Sequence, residues 1–447
     1  MNTIIEGGLR KPERIPVNLN NNSYWDDIDL DKELRRQFDV CHSCRRCFNL
    51  CDSFPKLFDL IDDSKSMELD TVESSSFSEV VEACTLCDMC FMVSCPYVPP
   101  HEFAIDIPSL FIRYKALENR SKSNFLDSQI ANTDRNGKIG LLFPKLINFL
   151  TNKKNKLARK ILSFLFKIDI SATLPKFNKK SFKTLFKNFY HKIKHKNNYP
   201  DKVIIFISCY VNYNDSKIGE ALLNVLNKNK IHIEEFYAGC CKMPQLEQGK
   251  IHEVQSEAIK TADLLYDKIK KGYKVIAPIA SCALMIKSHW PLLNSNNKKI
   301  LTLSENTYDI DEYLWDLNSR VGLVDGMKPL GRNITLHSSC HSRAQNIGPK
   351  SAQILKLIPG TSTVNVERCS GHGGTWGIKK KWNKTARKIG NGAARQIFKE
   401  ENSIVASTCP LAALHLKDIN EDKKIRSYDE KIYHPIELIS KSYGYKG

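Results

Sequence analysis

No stretch of this 447-residue chain reaches the roughly 18 uncharged apolar residues that a membrane-spanning helix requires. Met1 to Pro16 carries charges and lacks a sustained apolar core, so it does not read as a secretory leader. A soluble or peripheral protein is expected. A disulfide framework is missing too, because the fifteen cysteines are odd in number and grouped like metal ligands. That usage belongs to a reducing compartment, and the cytoplasm is the expected location. Acidic residues are scarce in the middle of the chain. Residues 113–200 carry 21 basic and 4 acidic residues, against 10 and 20 in residues 1–112 and 36 and 25 in residues 201–447. The overall charge of +18 therefore joins an acidic start to a strongly basic middle. No recognised nucleic-acid fold accompanies this charge, so nucleic acid is not an expected partner.

The cysteines that are present fall first in two compact runs, Cys41-x2-Cys44-x2-Cys47-x3-Cys51 and Cys84-x2-Cys87-x2-Cys90-x4-Cys95. Three thiols spaced three residues apart occupy three corners of a cubane 4Fe-4S cluster, and a distant fourth closes the last. In two-cluster ferredoxins the fourth cysteine of each run serves the other cluster. The expected ligand sets are therefore Cys41, Cys44, Cys47 and Cys95 for the first cluster, and Cys84, Cys87, Cys90 and Cys51 for the second. Structural zinc and disulfides are the competing readings, but zinc pairs usually come as two separated Cys-x2-Cys units. Two details depart from the cluster motif: Asp52 follows Cys51 where proline is usual, and four residues separate Cys90 from Cys95.

From residue 201 the pattern changes to alternating strands and helices. Lys202 to Ser208, Ile231 to Tyr237 and Val275 to Ala280 read as strands, with helices near Lys217 to Leu226 and Glu253 to Lys270. Cys209, Cys240-Cys241 and Cys282 follow the three strands. The arrangement then repeats, with Asn333 to His337, Val364 to Glu367 and Ile404 to Ser407 leading to Cys340, Cys369-Ser370 and Cys409. Equivalent cysteines are offset by 131 (Cys209 to Cys340), 129 (Cys240 to Cys369) and 127 residues (Cys282 to Cys409). Thiols at the carboxyl ends of adjacent parallel strands lie where open α/β sheets bind ligands, and convergent thiolates favour a soft metal or cluster. A single buried cysteine is otherwise often just a small hydrophobe. His341, Arg343, Gln345 and His372 lie beside the second set, where an imidazole could ligate metal or move protons; capping and ordinary hydrogen bonding are the alternative. Gly371, Gly373 and Gly374 allow a tight turn and are weak evidence for phosphate binding.

Two stretches of the basic middle read as amphipathic helices. In Phe182 to Ile193 the apolar face is Phe182, Leu185, Phe186, Phe189 and Ile193, with Lys183, Lys187 and Lys192 off it. In Leu157 to Ile168 the apolar Leu157, Ile161, Leu162, Leu165 and Ile168 oppose Arg159, Lys160 and Lys167. Such faces suit the interface of an anionic bilayer, or pack on the protein itself.

The motifs Cys84-Thr-Leu-Cys-Asp-Met-Cys90, Cys95-Pro-Tyr-Val-Pro-Pro-His101, Cys240-Cys-Lys-Met-Pro-Gln245, Ala280-Ser-Cys-Ala-Leu-Met285, Cys340-His-Ser-Arg-Ala-Gln-Asn-Ile-Gly348 and Arg368-Cys-Ser-Gly-His-Gly-Gly-Thr-Trp376 together resemble the cysteine-rich-domain iron-sulfur oxidoreductases. Within that family they resemble an iron-sulfur subunit of anaerobic glycerol-3-phosphate dehydrogenases and a subfamily encoded beside rubrerythrin. The resemblance implies an α+β multidomain chain. Residues 1–112 would be a helix-rich ferredoxin domain with two 4Fe-4S clusters, 113–200 a basic helical linker, and 201–330 and 331–447 a duplicated α/β cysteine-rich domain with parallel strands. It also implies electron transfer between a flavin dehydrogenase, or rubrerythrin, and a membrane quinone, at the inner membrane face. It leaves room for a further cluster or other metal in the repeats. Heterodisulfide reductase relatives carry five cysteines and a non-cubane cluster in each repeat and suggest thiol-disulfide chemistry instead; a non-catalytic membrane anchor is the third alternative. Here Met285 replaces the last cysteine of repeat one, Lys242 replaces the glycine after the cysteine pair, and repeat two lacks two cysteines, with Ser370 in the place of Cys241. No catalytic residue is assigned by the sequence.

Overall fold

The computed structural model describes residues 12–121, 125–192, 199–237 and 239–445. The first four long helices are α1 (Asp27–Cys44), α2 (Ser53–Asp62), α3 (Phe77–Ala83) and α4 (Ile107–Ser121). Helix α1 begins where the Asp26 carboxylate accepts the Asp29 N–H at 2.8 Å, a cap that contributes about 1 kcal/mol. Leu30, Leu34 and Phe38 recur every four residues and bury one stripe of α1. Phe38 meets Phe77 and Phe111 edge-on at 5.1 and 6.0 Å, which locks α1 to α3 and α4. The helix ends at Arg45 in the left-handed region, φ +52, placing Cys41 and Cys44 in its last turns.

The second cysteine run wraps differently. Leu86 and Asp88 adopt φ +49 and +62, and a five-residue π turn spans Cys90–Ser94 before Cys95. Asp88 pins this loop: Arg14 donates to it at 2.8 Å and His289 Nε2 lies 3.3 Å away. Burial opposes ionisation of Asp88, and Arg14 and His289 overcome it, holding the carboxyl well below its usual range.

The middle segment forms α5 (Phe125–Ala131), α6 (Thr133–Leu142), α7 (Pro144–Thr151), α8 (Lys156–Phe166) and α9 (Phe182–Lys192). The two amphipathic stretches part ways. Phe182 and Phe186 of α9 are buried, and Phe182 fits against Gly219, where a Cβ would stand 2.5 Å from its ring. Ile193, assigned to the same face, lies outside the described residues. Helix α8 is turned over: Arg159, expected on the polar side, is only 1% exposed, while Leu157 and Phe164 are 72% and 77% exposed. The Arg159 guanidinium donates to the carbonyls of Asp169 and Ala172 at 2.6 and 2.7 Å, so its charge is spent on the chain that follows α8.

Strands β1 (Lys202–Phe206), β2 (His232–Phe236), β3 (Tyr273–Ala277) and β4 (Thr307–Asp309) form a parallel sheet of order β2-β1-β3-β4. β5 (Ile334–His337), β6 (Thr363–Val366) and β7 (Ile404–Ser407) form a second, of order β6-β5-β7. Strand β4 has three residues, and its place in the second sheet is taken by a single parallel bridge between Ala406 of β7 and Tyr433; so short a run leaves no readable alternation in the sequence. Both sheets, α9 and the four N-terminal helices share one apolar core running from Leu30 to Ile439.

Candidate functional site

Parallel pairing delivers the strand-end thiols to one place. The first strand of each repeat is central, so the loops after three neighbouring strands open at the same sheet edge. A cavity of about 650 Å³ lies there, lined by all seven strand-end cysteines: Cys209, Cys240, Cys241, Cys282, Cys340, Cys369 and Cys409. Cys87 and Thr85 of the second cysteine run line it as well, and α6, α7 and α8 supply Thr133, Ile139, Ile147, Leu162 and Phe166. The two repeats thus face each other across a shared chamber roofed by the basic segment.

The repeat-one thiols are packed closely. Cys209 Sγ and Cys240 Sγ are 3.9 Å apart, and Thr133 Oγ1 lies 3.4 and 3.3 Å from them. Hydrogen bonds from Cys209 and Cys241 hold Cys240 well below the usual thiol range, while sharing that proton raises Cys209 and Cys241. Lys242 adopts φ +68, the left-handed geometry for which glycine is suited. The lysine therefore preserves the bend after the cysteine pair at a cost in strain.

In repeat two, the Gly371 N–H donates to Cys369 Sγ at 3.3 Å and the Ala412 N–H to Cys409 Sγ at 3.5 Å. The four polar residues singled out there divide. Arg343 pairs with Glu367 at 3.3 Å, and Gln345 donates to Asp309 at 3.0 Å; both are structural. His341 Nδ1 meets Ser281 Oγ at 2.8 Å. His372 is buried in the cavity wall, and among the described residues neither of its ring nitrogens has a hydrogen-bond partner. Burial lowers it to about 3, so it is a neutral imidazole. The neighbouring glycine permits close approach of backbone: a Cβ on Gly371 would stand 2.0 Å from the Ala386 carbonyl oxygen.

Among the eight cysteines of the two runs, Cys41, Cys44, Cys47 and Cys95 surround one small pocket with Arg46, Phe54 and Tyr97. Cys51, Cys84, Cys87 and Cys90 form the second group, each within electrostatic reach of another. Burial and then the adjacent thiols push Cys47 up to about 11 and Cys51 up to about 12. Crowded buried thiols of this kind fit a cationic metal-sulfur core, which releases their protons on binding. Cys51 and Cys87 also sense Cys369, and Cys87 senses Cys340, so the second group adjoins repeat two.

Glu247 and Thr133 line the cavity although neither stood out in the sequence. A weak signal was available for Glu247 alone, six residues beyond Cys241 at the end of the short helix that follows.

Residues 203–287 and 334–417 each match the cysteine-rich domain family. The chain is 26% identical over 343 residues to a subunit of the anaerobic glycerol-3-phosphate dehydrogenase of Escherichia coli strain K12, covering 76% of this chain and 82% of that protein. It is 28% identical over 248 residues to a subunit of the fumarate reductase (CoM/CoB) of Methanothermobacter marburgensis, covering 54% and 46%. A match of 27% over 223 residues to an iron-sulfur protein of Methanococcus maripaludis covers 48% and 41%.

Proposed function

From a chain that carries two copies of the cysteine-rich domain, we propose an iron-sulfur electron-transfer subunit of an oxidoreductase, working between a partner dehydrogenase and a membrane quinone. Residues 1–112 are the cluster-bearing unit, 113–200 the docking segment, and 201–330 and 331–447 the two repeats. Cys41, Cys44, Cys47 and Cys95 hold one cluster and Cys84, Cys87, Cys90 and Cys51 the other. Two cubane clusters bound there supply one-electron transfer. The observation that carries this reading is that Cys87 shares a cavity wall with the strand-end thiols. The second group of cysteines thus borders a chamber large enough for a second reactant, which a cluster held there would supply with single electrons. Cys209, Cys240, Cys241 and Cys282 are four donors suited to a further metal centre; repeat two has three.

Membrane docking is supported by α6 to α8. Leu142, Phe143, Leu146, Phe149, Leu157, Ile161, Phe164 and Leu165 are all exposed, in a segment that also carries Lys138, Lys145, Lys154, Lys156 and Lys160. Exposed apolar side chains in a lysine-rich segment match the interface of an anionic bilayer. No helix among the described residues is long and apolar enough to cross a membrane, so the contact is peripheral. The test is reoxidation of the reduced protein by menaquinone or ubiquinone in anionic liposomes. Reoxidation only by rubrerythrin plus peroxide assigns that partner instead.

The close Cys209–Cys240 contact and the stabilised Cys240 thiolate favour one second reading, a thiol-disulfide oxidoreductase. Cys241→Ser separates the two, because relay through the eight N-terminal cysteines survives that substitution and disulfide reduction does not.

A further inference from the structure

Three parts of the chain meet at one turn. Gly373 and Gly374, at φ +53 and +57, carry the repeat-two backbone so close to its neighbours that a Cβ would stand 2.7 Å from Thr85 Cγ2 and 2.5 Å from Glu247 Oε1, respectively. The Thr375 N–H donates to the Glu247 carboxylate. Among the described residues, Glu247 is the only carboxylate lining the cavity. Lys115 and Lys379 act on it electrostatically from one side of the charge balance and Cys240 from the other. Lys379 Nζ in turn pairs with Asp127 at 2.8 Å, both side chains 24% exposed, so a polar path leads from Glu247 to the surface.

Any two-electron acceptor reduced in this chamber also needs protons. A quinone takes two electrons and two protons as two O–H bonds form; a disulfide takes the same as its S–S bond breaks and two S–H bonds form. The geometry points to Glu247 as the proton donor to that acceptor, an inference that rests on the electron-transfer reading above. Glu247 gives one proton, becomes a carboxylate between Lys115 and Lys379, recovers a proton from solvent along the Lys379–Asp127 face, and gives the second. Electrons come singly from the reduced cluster-bearing unit.

The ionisation of the cavity supports the assignment. Burial pushes Glu247 up to about 7 against the pull of Lys115, the Thr375 N–H and Lys379. Burial lowers His341 to about 4 and His372 to about 3, which leaves both as neutral imidazoles, far weaker acids than an imidazolium, at neutral pH. The donor form of Glu247 is present below about pH 7 and is lost above it.

The test uses full-length, anaerobically loaded protein and its Glu247→Gln and Glu247→Asp variants. Redox-difference infrared spectra should show a carboxylic C=O band that vanishes in Glu247→Gln and moves in Glu247→Asp. Reduction of a short-tail quinone or of an aromatic disulfide by the reduced protein should slow above about pH 7. Glu247→Gln should be slower by about 10²-fold with that limb gone, Glu247→Asp intermediate, and the visible cluster absorption unchanged. The quinone and disulfide arms identify the acceptor. A variant that keeps the wild-type band and pH limb overturns the role of Glu247. Wild type with intact clusters that reduces neither probe overturns the underlying electron-transfer reading.

Discussion

The Ser281 hydroxyl and the His341 imidazole meet at 2.8 Å across the cavity floor. Ser281 precedes Cys282 and His341 follows Cys340, so this single hydrogen bond couples the thiol loop of one repeat to that of the other. Ser281→Ala leaves His341 Nδ1 unpaired where it is buried. The expected cost is about 1–2 kcal/mol, read as a lower urea midpoint at unchanged slope. An unchanged midpoint contradicts the coupling.

The outward face of α8 is what the docking role depends on. Leu157→Glu with Phe164→Glu should abolish flotation with anionic liposomes at low salt while leaving the melting temperature near that of wild type, since both side chains are exposed. Arg159→Ala should do the reverse. It strips the Asp169 and Ala172 carbonyls of their donor and should destabilise by about 3 kcal/mol.

Lys242 stands where the backbone favours glycine. Lys242→Gly should raise stability by up to about 1 kcal/mol, and Lys242→Val should lower it, because a β-branched side chain is hardest to place at φ +68. Denaturant titration of both variants checks the ordering.

Burial lowers four histidines well below the usual 6.5: His337 and His341 to about 4, and His372 and His434 to about 3. The unfolded chain binds these protons as pH falls through about 6.5, and the folded chain does not until far lower. Their contribution to stability is therefore whole above about pH 6.5 and declines below it. Thermal melts should show a falling midpoint from about pH 6.5 towards pH 4.5, with a flat profile contradicting the burial of these rings.

The grouping of the thiols was legible in the sequence to the extent that local spacing encodes it. Three thiols at three-residue intervals converge on almost any wrapped backbone, and strand-end cysteines fall together once parallel pairing is granted. The strands of both repeats were readable for the same reason, apart from the three-residue β4. Orientation was not readable. The helical period of α8 marks an apolar face, but Arg159 turns inward because the Asp169 and Ala172 carbonyls await it, and those lie on chain that returns only after the helix ends. The same period in α9 hides its face, because Gly219 leaves room for Phe182. Glu247 gave only a weak signal for a third reason: its importance comes from a turn 127 residues later, at Gly374.

The central claim is that eight cysteines hold two cubane clusters whose electrons reach the shared cavity. Anaerobic purification with iron and sulfide counts, followed by paramagnetic resonance through a redox titration, tests it most directly. The account predicts at least about eight iron and eight sulfide per chain, and two reducible centres that broaden each other's signals. Zinc in place of iron, or about four iron with a single isolated signal, would contradict it.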